Sequence, residues 1–421
     1  MSVRPGAAVR GVSASAICIG DGETPPLLDG AVLLDDRGRV AGLGPRVQLA
    51  KAHPHLVIEH HQAVLLPGLI NAHTHVELSA LRGRVSGGRG FAAWLGELFA
   101  AQAQSAPELD DEALDAGVSE LLRYGTAAVG EVTNSLRSVA HLASAPLLAR
   151  VFHEVFGVNR ERAAAARRAA HDASAALAVL PAHVHRVLSP HTPYSMHPEL
   201  LQEVMHQARS KGERVSIHLA EHAAERAFML DGGGPMGALL QRIGIQRDWP
   251  PPGLASIPYL DRLGLLDEQV IAVHVTDARP EEIATLAARR VSVVLCPRSN
   301  LHIEVRLPPL QNLLAAGIRP GLGTDSLASS PSLDVLAEAQ ALAQRFPQVP
   351  ARTLLAMATG FGADVLGLSS QVGRIAVGLS PGLVAFPHGA EAPRDPERYV
   401  LQGRFPRARD VLAVPAMPLE C

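Results

Sequence analysis

Between Val64 and Leu366 the sequence alternates apolar runs of four to seven residues with longer stretches whose apolar residues recur at helical spacing. This alternation constrains the fold more than any other feature. A strand without a polar face must be covered on both sides, which is the condition of parallel strands joined by helical crossovers. Eight such runs are present: Leu65–Ile70, Thr126–Val132, Ala149–Phe156, Arg186–Ser189, Arg214–Leu219, Val270–Val275, Val291–Cys296 and Arg319–Thr324. Each precedes a readable helix. Pro198 opens one, Leu200, Leu201, Val204, Met205 and Ala208 keep its apolar face, and Gly212 stops it. Ile283, Leu286 and Ala287 repeat the pattern after Pro280. Eight parallel strands of this kind close a barrel.

The flanks read differently. Residues 1-64 carry short alternating segments such as Ala31-Val-Leu-Leu34 and Leu56-Val-Ile-Glu59, broken by turns such as Asp21-Gly-Glu-Thr24 and Asp35-Asp-Arg-Gly38. Similar segments return in 367-421, including Val372-Gly-Arg-Ile375 and Leu383-Val-Ala-Phe386. The expected fold is therefore α/β: a (β/α)8 TIM barrel over 65-366, with a small β-sandwich domain formed by 1-64 and 367-421. The stretch Phe228–Leu260, rich in Gly and Pro, is too long and irregular for a plain connection and is expected to cover the barrel mouth.

A chain of 421 residues has room for such a barrel, at about 250 residues, plus one small domain. Its 47% hydrophobic and 19% charged residues suit a globular enzyme. The formal net charge of −3 offers no broad attraction to nucleic acid or to an anionic membrane, which leaves small molecules as the expected partners. Cys18, Cys296 and Cys421 are too few and scattered for a disulfide framework or a thiolate metal site. The N-terminus shows no basic segment followed by an apolar core, and no window of about 18 apolar residues follows, so a cytoplasmic location is expected. A homodimer is left open.

In a barrel, functional side chains project from the C-terminal ends of the strands. Here those ends carry His73 and His75 after the first run, His218 after the fifth, His274 after the sixth and Asp325 after the eighth. Residues two apart on a strand share a face, so His73 and His75 can both enter the lumen. Three imidazoles and a carboxylate suit one divalent ion, zinc first, with iron or manganese also compatible. Against this stands a plainer explanation, since the chain has 19 histidines and the His-x-His pattern also occurs at His53-Pro-His55 and His183-Val-His185. Those two pairs fall in the flanking β unit and at the opposite barrel end, whereas four strand ends agree on the same rim. Glu221, three residues past His218, is the candidate general acid/base.

Taken together, Leu66-Pro-Gly-Leu-Ile-Asn-Ala-His-Thr-His75, His218-Leu-Ala-Glu221, His274 and Gly323-Thr-Asp325 resemble the amidohydrolase superfamily. The His-x-x-Glu element resembles that of its cytosine, guanine and S-adenosylhomocysteine deaminase branch. Within the branch, Asn71-Ala-His-Thr-His-Val-Glu77-Leu-Ser79 and Pro251-Pro-Gly253 with Tyr259-Leu-Asp-Arg-Leu-Gly264 look like the aminodeoxyfutalosine deaminases of menaquinone biosynthesis. One departure lies in the tail, where Leu379-Ser-Pro-Gly-Leu-Val-Ala-Phe386 lacks the family's usual Ala-Asp-Leu before its apolar strand. Relatives with two metals bridge them by a carbamylated lysine on strand four. Only Lys51 and Lys211 occur here, neither near that strand, so one metal is expected.

The resemblance implies hydrolytic deamination of an amino-purine. Asp325 would ligate and accept the water proton, His274 would orient the nucleophile, and Glu221 would protonate the ring nitrogen. Glu77 and His191 are candidate substrate contacts, and Arg89 or Arg160 would meet a substrate benzoate. Other adenine-type nucleosides, such as S-adenosylhomocysteine, methylthioadenosine or adenosine, remain alternatives, as do triazines and cyclic amides. A non-catalytic scaffold is disfavoured because every key residue is present.

Overall fold

The computed structural model describes residues 7–104, 107–176, 179–405, 410–413 and 415. Cys421 and the outer ends of both terminal segments lie outside the described residues. Strands β1 (Ala8–Ile17), β2 (Leu27–Asp35), β3 (Val40–Pro45) and β4 (Ile58–Pro67) open the chain. They join two strands from its far end, β14 (Leu383–Pro387) and β15 (Asp410–Ala413), in one sheet of order β15-β14-β4-β1-β2-β3.

A sandwich is expected from the sequence, but among the described residues these strands form this single six-stranded sheet. Strand alternation gives the reason. Ala63, Leu65, Leu383 and Ala385 face a small cluster with Val12, Val32 and Ile375. Their neighbours Val64, Leu66, Val384 and Phe386 face the main core instead. With both faces already covered, the sheet needs no facing partner sheet.

The central strands are parallel and fall into two sheets. One, of order β13-β5-β6-β7-β8, contains β5 (Leu69–His75), β6 (Thr126–Thr133), β7 (Leu148–Val155), β8 (Val184–Pro190) and the short β13 (Asp325–Ser326). The other, of order β12-β11-β10-β9, contains β9 (Val215–Leu219), β10 (Val270–His274), β11 (Ser292–Leu295) and β12 (Gly321–Leu322). Their edges approach at both sides. The His218 amide donates to the His191 carbonyl (3.0 Å) at one seam, and the Thr324 amide to the His73 carbonyl (3.0 Å) at the other.

The first and eighth expected strands are displaced. Leu65 and Leu66 belong to β4 of the terminal sheet, and the central strand starts only at Leu69. Gly68 is the joint, because a Cβ there would sit 2.5 Å from Ala127 Cβ and 2.8 Å from the Pro381 carbonyl oxygen. The eighth run divides into β12 and β13 around Gly323-Thr324, where the backbone crosses His73. The stretch from Phe228 is more regular than its composition suggests, with helices at Ala223–Asp231, Gly234–Arg242 and Ser256–Arg262. Its irregular part is anchored by Arg247, stacked 4.5 Å from the rings of both Phe228 and Trp249, and by the Trp249 indole donating to the Val158 carbonyl (2.8 Å). No helix among the described residues is long and apolar enough to cross a membrane.

Gly323 sits at a close crossing of two segments. A Cβ there would lie 2.6 Å from both the Cβ and the carbonyl oxygen of His73, and backbone on both sides cannot swing away. Gly323→Ala is expected to cost about 1–3 kcal/mol of stability by overpacking. Chemical denaturation of both proteins checks this, and an unchanged unfolding midpoint would contradict it.

Candidate active site

The strand ends that carry the candidate residues are strained. Ala220 (φ 50°), His274 (φ 73°), Val275 (φ 53°) and Asp325 (φ 55°) all adopt left-handed backbone without being glycine. Such conformations persist only where surrounding structure enforces them, and they gather at functional sites.

His73 is wholly buried, and neither of its ring nitrogens has a hydrogen-bond partner. A buried imidazole without partners is costly unless something absent from the protein itself engages it. Its surroundings fit a cation. His73 Nε2 lies 3.9 Å and His75 Nε2 3.7 Å from Asp325 Oδ1, while His75 Nε2 and His218 Nε2 are 3.3 Å apart. Two overlapping triads, His73 with His75 and Asp325, and His73 with His218 and His274, have donor atoms within 4.8 Å of one another. Nitrogen and oxygen donors at such separations suit a zinc-like ion. Burial pushes His73 well below the usual histidine range, so it stays a neutral potential ligand.

The carboxylate is held for the same geometry. Ser299 (2.5 Å) and Ser329 (2.9 Å) both donate to Asp325 Oδ2, leaving Oδ1 toward the imidazoles. Burial alone would raise Asp325, but His274, His75 and the Ser299 hydroxyl outweigh it and hold the group below its ordinary value. Asn300 Nδ2 donates to His274 Nδ1 (3.3 Å), which places the ring proton on Nε2, 3.6 Å from Glu221 Oε1. Burial drives His274 down to about 3.

Glu221 sits just past β9 and faces the cavity. Glu225 fixes the turn beneath it by accepting from the amides of Ala220 (2.9 Å) and Glu221 (2.8 Å). Burial raises Glu221 well above the usual carboxylate range. His191 also lines the cavity, with Nδ1 2.8 Å from Ser195 Oγ, and burial pushes it down to about 4. Glu77 reaches the cavity while accepting from Thr133 Oγ1 (2.7 Å), Asn134 N (2.8 Å) and Ser135 Oγ (2.7 Å), so it braces the loop after β6.

The two proposed arginines are elsewhere. Arg89 pairs with Glu97, and Arg160 lies 3.4 Å from Glu199; both are exposed, and neither lines the cavity. The basic side chains that do line it, beside its histidines, are Arg137 and Arg162. The sequence reading also missed the apolar wall, formed by Phe91, Trp94, Leu95 and Leu98 of the helix Phe91–Gln102 together with Met236 and Leu240. Glu154, buried at the end of β7 and 3.2 Å from His218 Nδ1, was likewise missed. Its signal was available, since it ends a strand on the same rim. The cavity measures about 530 Å³, enough for a nucleoside-sized ligand.

His222 is a separate titrating group beside this wall. It stacks on Phe91 (ring centroids 3.7 Å) and caps the following helix by accepting from the Glu225 amide (2.9 Å). Burial depresses it to about 3 from an ordinary 6.5. A depressed folded value means the stability tied to its neutral form is complete above pH 6.5 and is lost as pH falls from there toward 3. His222→Asn keeps a capping acceptor without the titration. Its melting temperature is expected to fall less steeply than that of the unsubstituted protein between pH 7 and 5, each unit below 6.5 otherwise costing up to about 1.4 kcal/mol. Parallel melting curves across that range would contradict this account.

The amidohydrolase family pattern matches residues 64–404. An aminodeoxyfutalosine deaminase of Deinococcus radiodurans is 31% identical over 340 residues, covering 78% of this chain and 79% of that protein. A 5-methylthioadenosine/S-adenosylhomocysteine deaminase of Nitratidesulfovibrio vulgaris is 30% identical over 397 residues, covering 89% and 82%. The crystal structure of Helicobacter pylori aminofutalosine deaminase in complex with methylthio-coformycin superposes with a TM-score of 0.84, at 23% identity, over 95% of this chain and 97% of that one.

Proposed function

The chain belongs to the amidohydrolase family, and from that premise we propose that it is a metal-dependent deaminase converting an amino-purine nucleoside to its oxo form. The observation that carries this reading is the placement of Glu221, buried and facing the cavity 3.6 Å from His274, beside a buried set of imidazoles and one carboxylate. We read the two parallel sheets as arcs of one closed (β/α)8 barrel over 65-366, with 1-64 and 367-421 as the small accompanying domain.

His73, His75, His218 and Asp325 would hold one divalent ion, zinc by the character of its donors. When bound, the ion supplies Lewis acidity that lowers the pKa of water toward about 7. Asp325, steadied through Oδ2 by two serines, would also take the proton that water releases. His274 presents its Nε2 proton to the oxygen arriving at the ring. Glu221 gives its proton to the ring nitrogen beside the amine-bearing carbon, which makes that carbon electrophilic. Now a carboxylate, Glu221 takes the remaining proton of the added hydroxyl and passes it to the departing nitrogen, so the carbon–nitrogen bond breaks and ammonia leaves a carbonyl behind; the proton held by Asp325 returns to Glu221 and restores both acids.

The preferred substrate is 6-aminodeoxyfutalosine, giving futalosine in menaquinone biosynthesis. The Deinococcus relative supports it, as does a cavity that joins an aromatic and aliphatic wall to Arg137 and Arg162, a setting for an aryl carboxylate. The Nitratidesulfovibrio relative supports a second reading, deamination of methylthioadenosine or S-adenosylhomocysteine. Glu77 and His191 would position the sugar and ring in either case.

Ammonia release from a panel of amino-purine nucleosides decides between them. Aminodeoxyfutalosine is expected to show the highest kcat/KM; preference for methylthioadenosine with no turnover of aminodeoxyfutalosine would replace the first reading by the second. Glu221→Gln is expected to retain metal and lose about 10²–10⁴-fold in kcat. Turnover at the unsubstituted rate would remove Glu221 from the reaction.

A further inference from the structure

We infer that Glu154 is a positioning residue that fixes His218 for the metal and ties it to the substrate side of the cavity through Asn134. The inference rests on the metal reading above and adds a residue to it.

Glu154 ends β7 and is 6% exposed. A carboxylate this buried is expensive unless its oxygens find donors. Both do. Oε1 lies 3.2 Å from His218 Nδ1, and Oε2 accepts from Asn134 Nδ2 (3.1 Å). The partner of Oε1 is thus the imidazole of His218. With Nδ1 donating to the carboxylate, the lone pair of His218 is confined to Nε2, the nitrogen that faces His75 Nε2. The His191 carbonyl also lies 3.3 Å from His218 Nδ1 and favours the same tautomer. Only Glu154 adds negative charge, which strengthens the imidazole as a donor to a cation. A carboxylate behind a ligating histidine commonly tunes a metal site in this way.

The second oxygen gives the arrangement its reach. Asn134 Nδ2 also donates to the Glu154 carbonyl (3.0 Å), and the Asn134 amide donates to Glu77 Oε1 (2.8 Å). Glu77 follows His75 directly in the chain order of the site and lines the cavity. A continuous hydrogen-bonded path therefore runs from Glu77 through Asn134 and Glu154 to His218.

The test uses the full chain with zinc and cobalt as probes. Chelator competition gives zinc affinity, the cobalt protein's visible spectrum reports ligand geometry, and melting curves report folding. Glu154→Gln is expected to bind zinc about 10–100-fold more weakly and to shift the cobalt spectrum. At saturating metal it should lower kcat with little change in KM. Asn134→Ala, which keeps the carboxylate but frees one oxygen, is expected to weaken zinc by a smaller factor. Unchanged zinc affinity and cobalt spectrum in Glu154→Gln would overturn the inference while leaving the metal site standing. Should that variant fail to fold, unchanged affinity in Asn134→Ala overturns it. Two ions per unsubstituted chain would make Glu154 a ligand instead, and an unsubstituted chain that binds no zinc would remove both this inference and the metal reading.

Discussion

The structure turns on the cost of burying imidazoles that have nothing in the protein to bond. His73 lies at the meeting point of β5 and the Gly323-Thr324 crossing, fully enclosed, with both ring nitrogens unpartnered. An ordinary core would not keep such a residue, because an apolar side chain of similar size would fill the space without the desolvation penalty. Around it the protein concentrates further groups, His75, His218, His274 and Asp325, and supports the last three from behind. Serines hold Asp325, Asn300 orients His274, and Glu154 backs His218. The left-handed backbone at Ala220, His274, Val275 and Asp325 follows from the same demand, since side chains from separate strands must turn toward one point.

How much of this can be read from sequence depends on whether a feature is local to one segment. The apolar runs and the helices after Pro198 and Pro280 are local, and they appear nearly where periodicity places them. His73 with His75 is legible because both sit on one strand at the period that puts them on one face. The start of β5 was not, because Leu65-Leu66 and Leu69-Ile70 are equally apolar on either side of Gly68. Only the packing of Gly68 against Ala127 and Pro381 shows where one sheet hands over to another. The terminal sheet misled for a related reason: alternation announces two buried faces but does not say whether the covering layer is a second sheet or the main core.

Orientation across elements was the harder part. Arg89 and Arg160 were reasonable by position, yet a side chain near a rim can point either way, and theirs are drawn outward by Glu97 and Glu199. Arg162, two residues from Arg160, lines the cavity because a helix turns about 100° per residue, so the two occupy different faces. The aromatic wall escaped notice since Phe91, Trp94 and Leu98 recur at helical spacing and look like any helix face bound for a core. Here that face borders a cavity rather than filling one.

The placement of acids around the site shows how one environment yields different protonation states. Glu221 and Glu154 are both buried carboxylates close to His218, yet burial dominates the first and raises it, whereas His191 and His218 overcome burial at the second and hold it well below the ordinary value. The difference lies in contact. Glu154 touches an imidazole nitrogen and an amide donor directly, while Glu221 meets His274 only at 3.6 Å and otherwise faces the cavity. One acid is thereby shifted toward its charged form beside a histidine, and the other toward its protonated form facing the cavity. Divergent states in neighbouring acids suit the proposed hydrolytic chemistry, in which a group that steadies a ligand of the ion would stay charged and a separate group would shuttle protons.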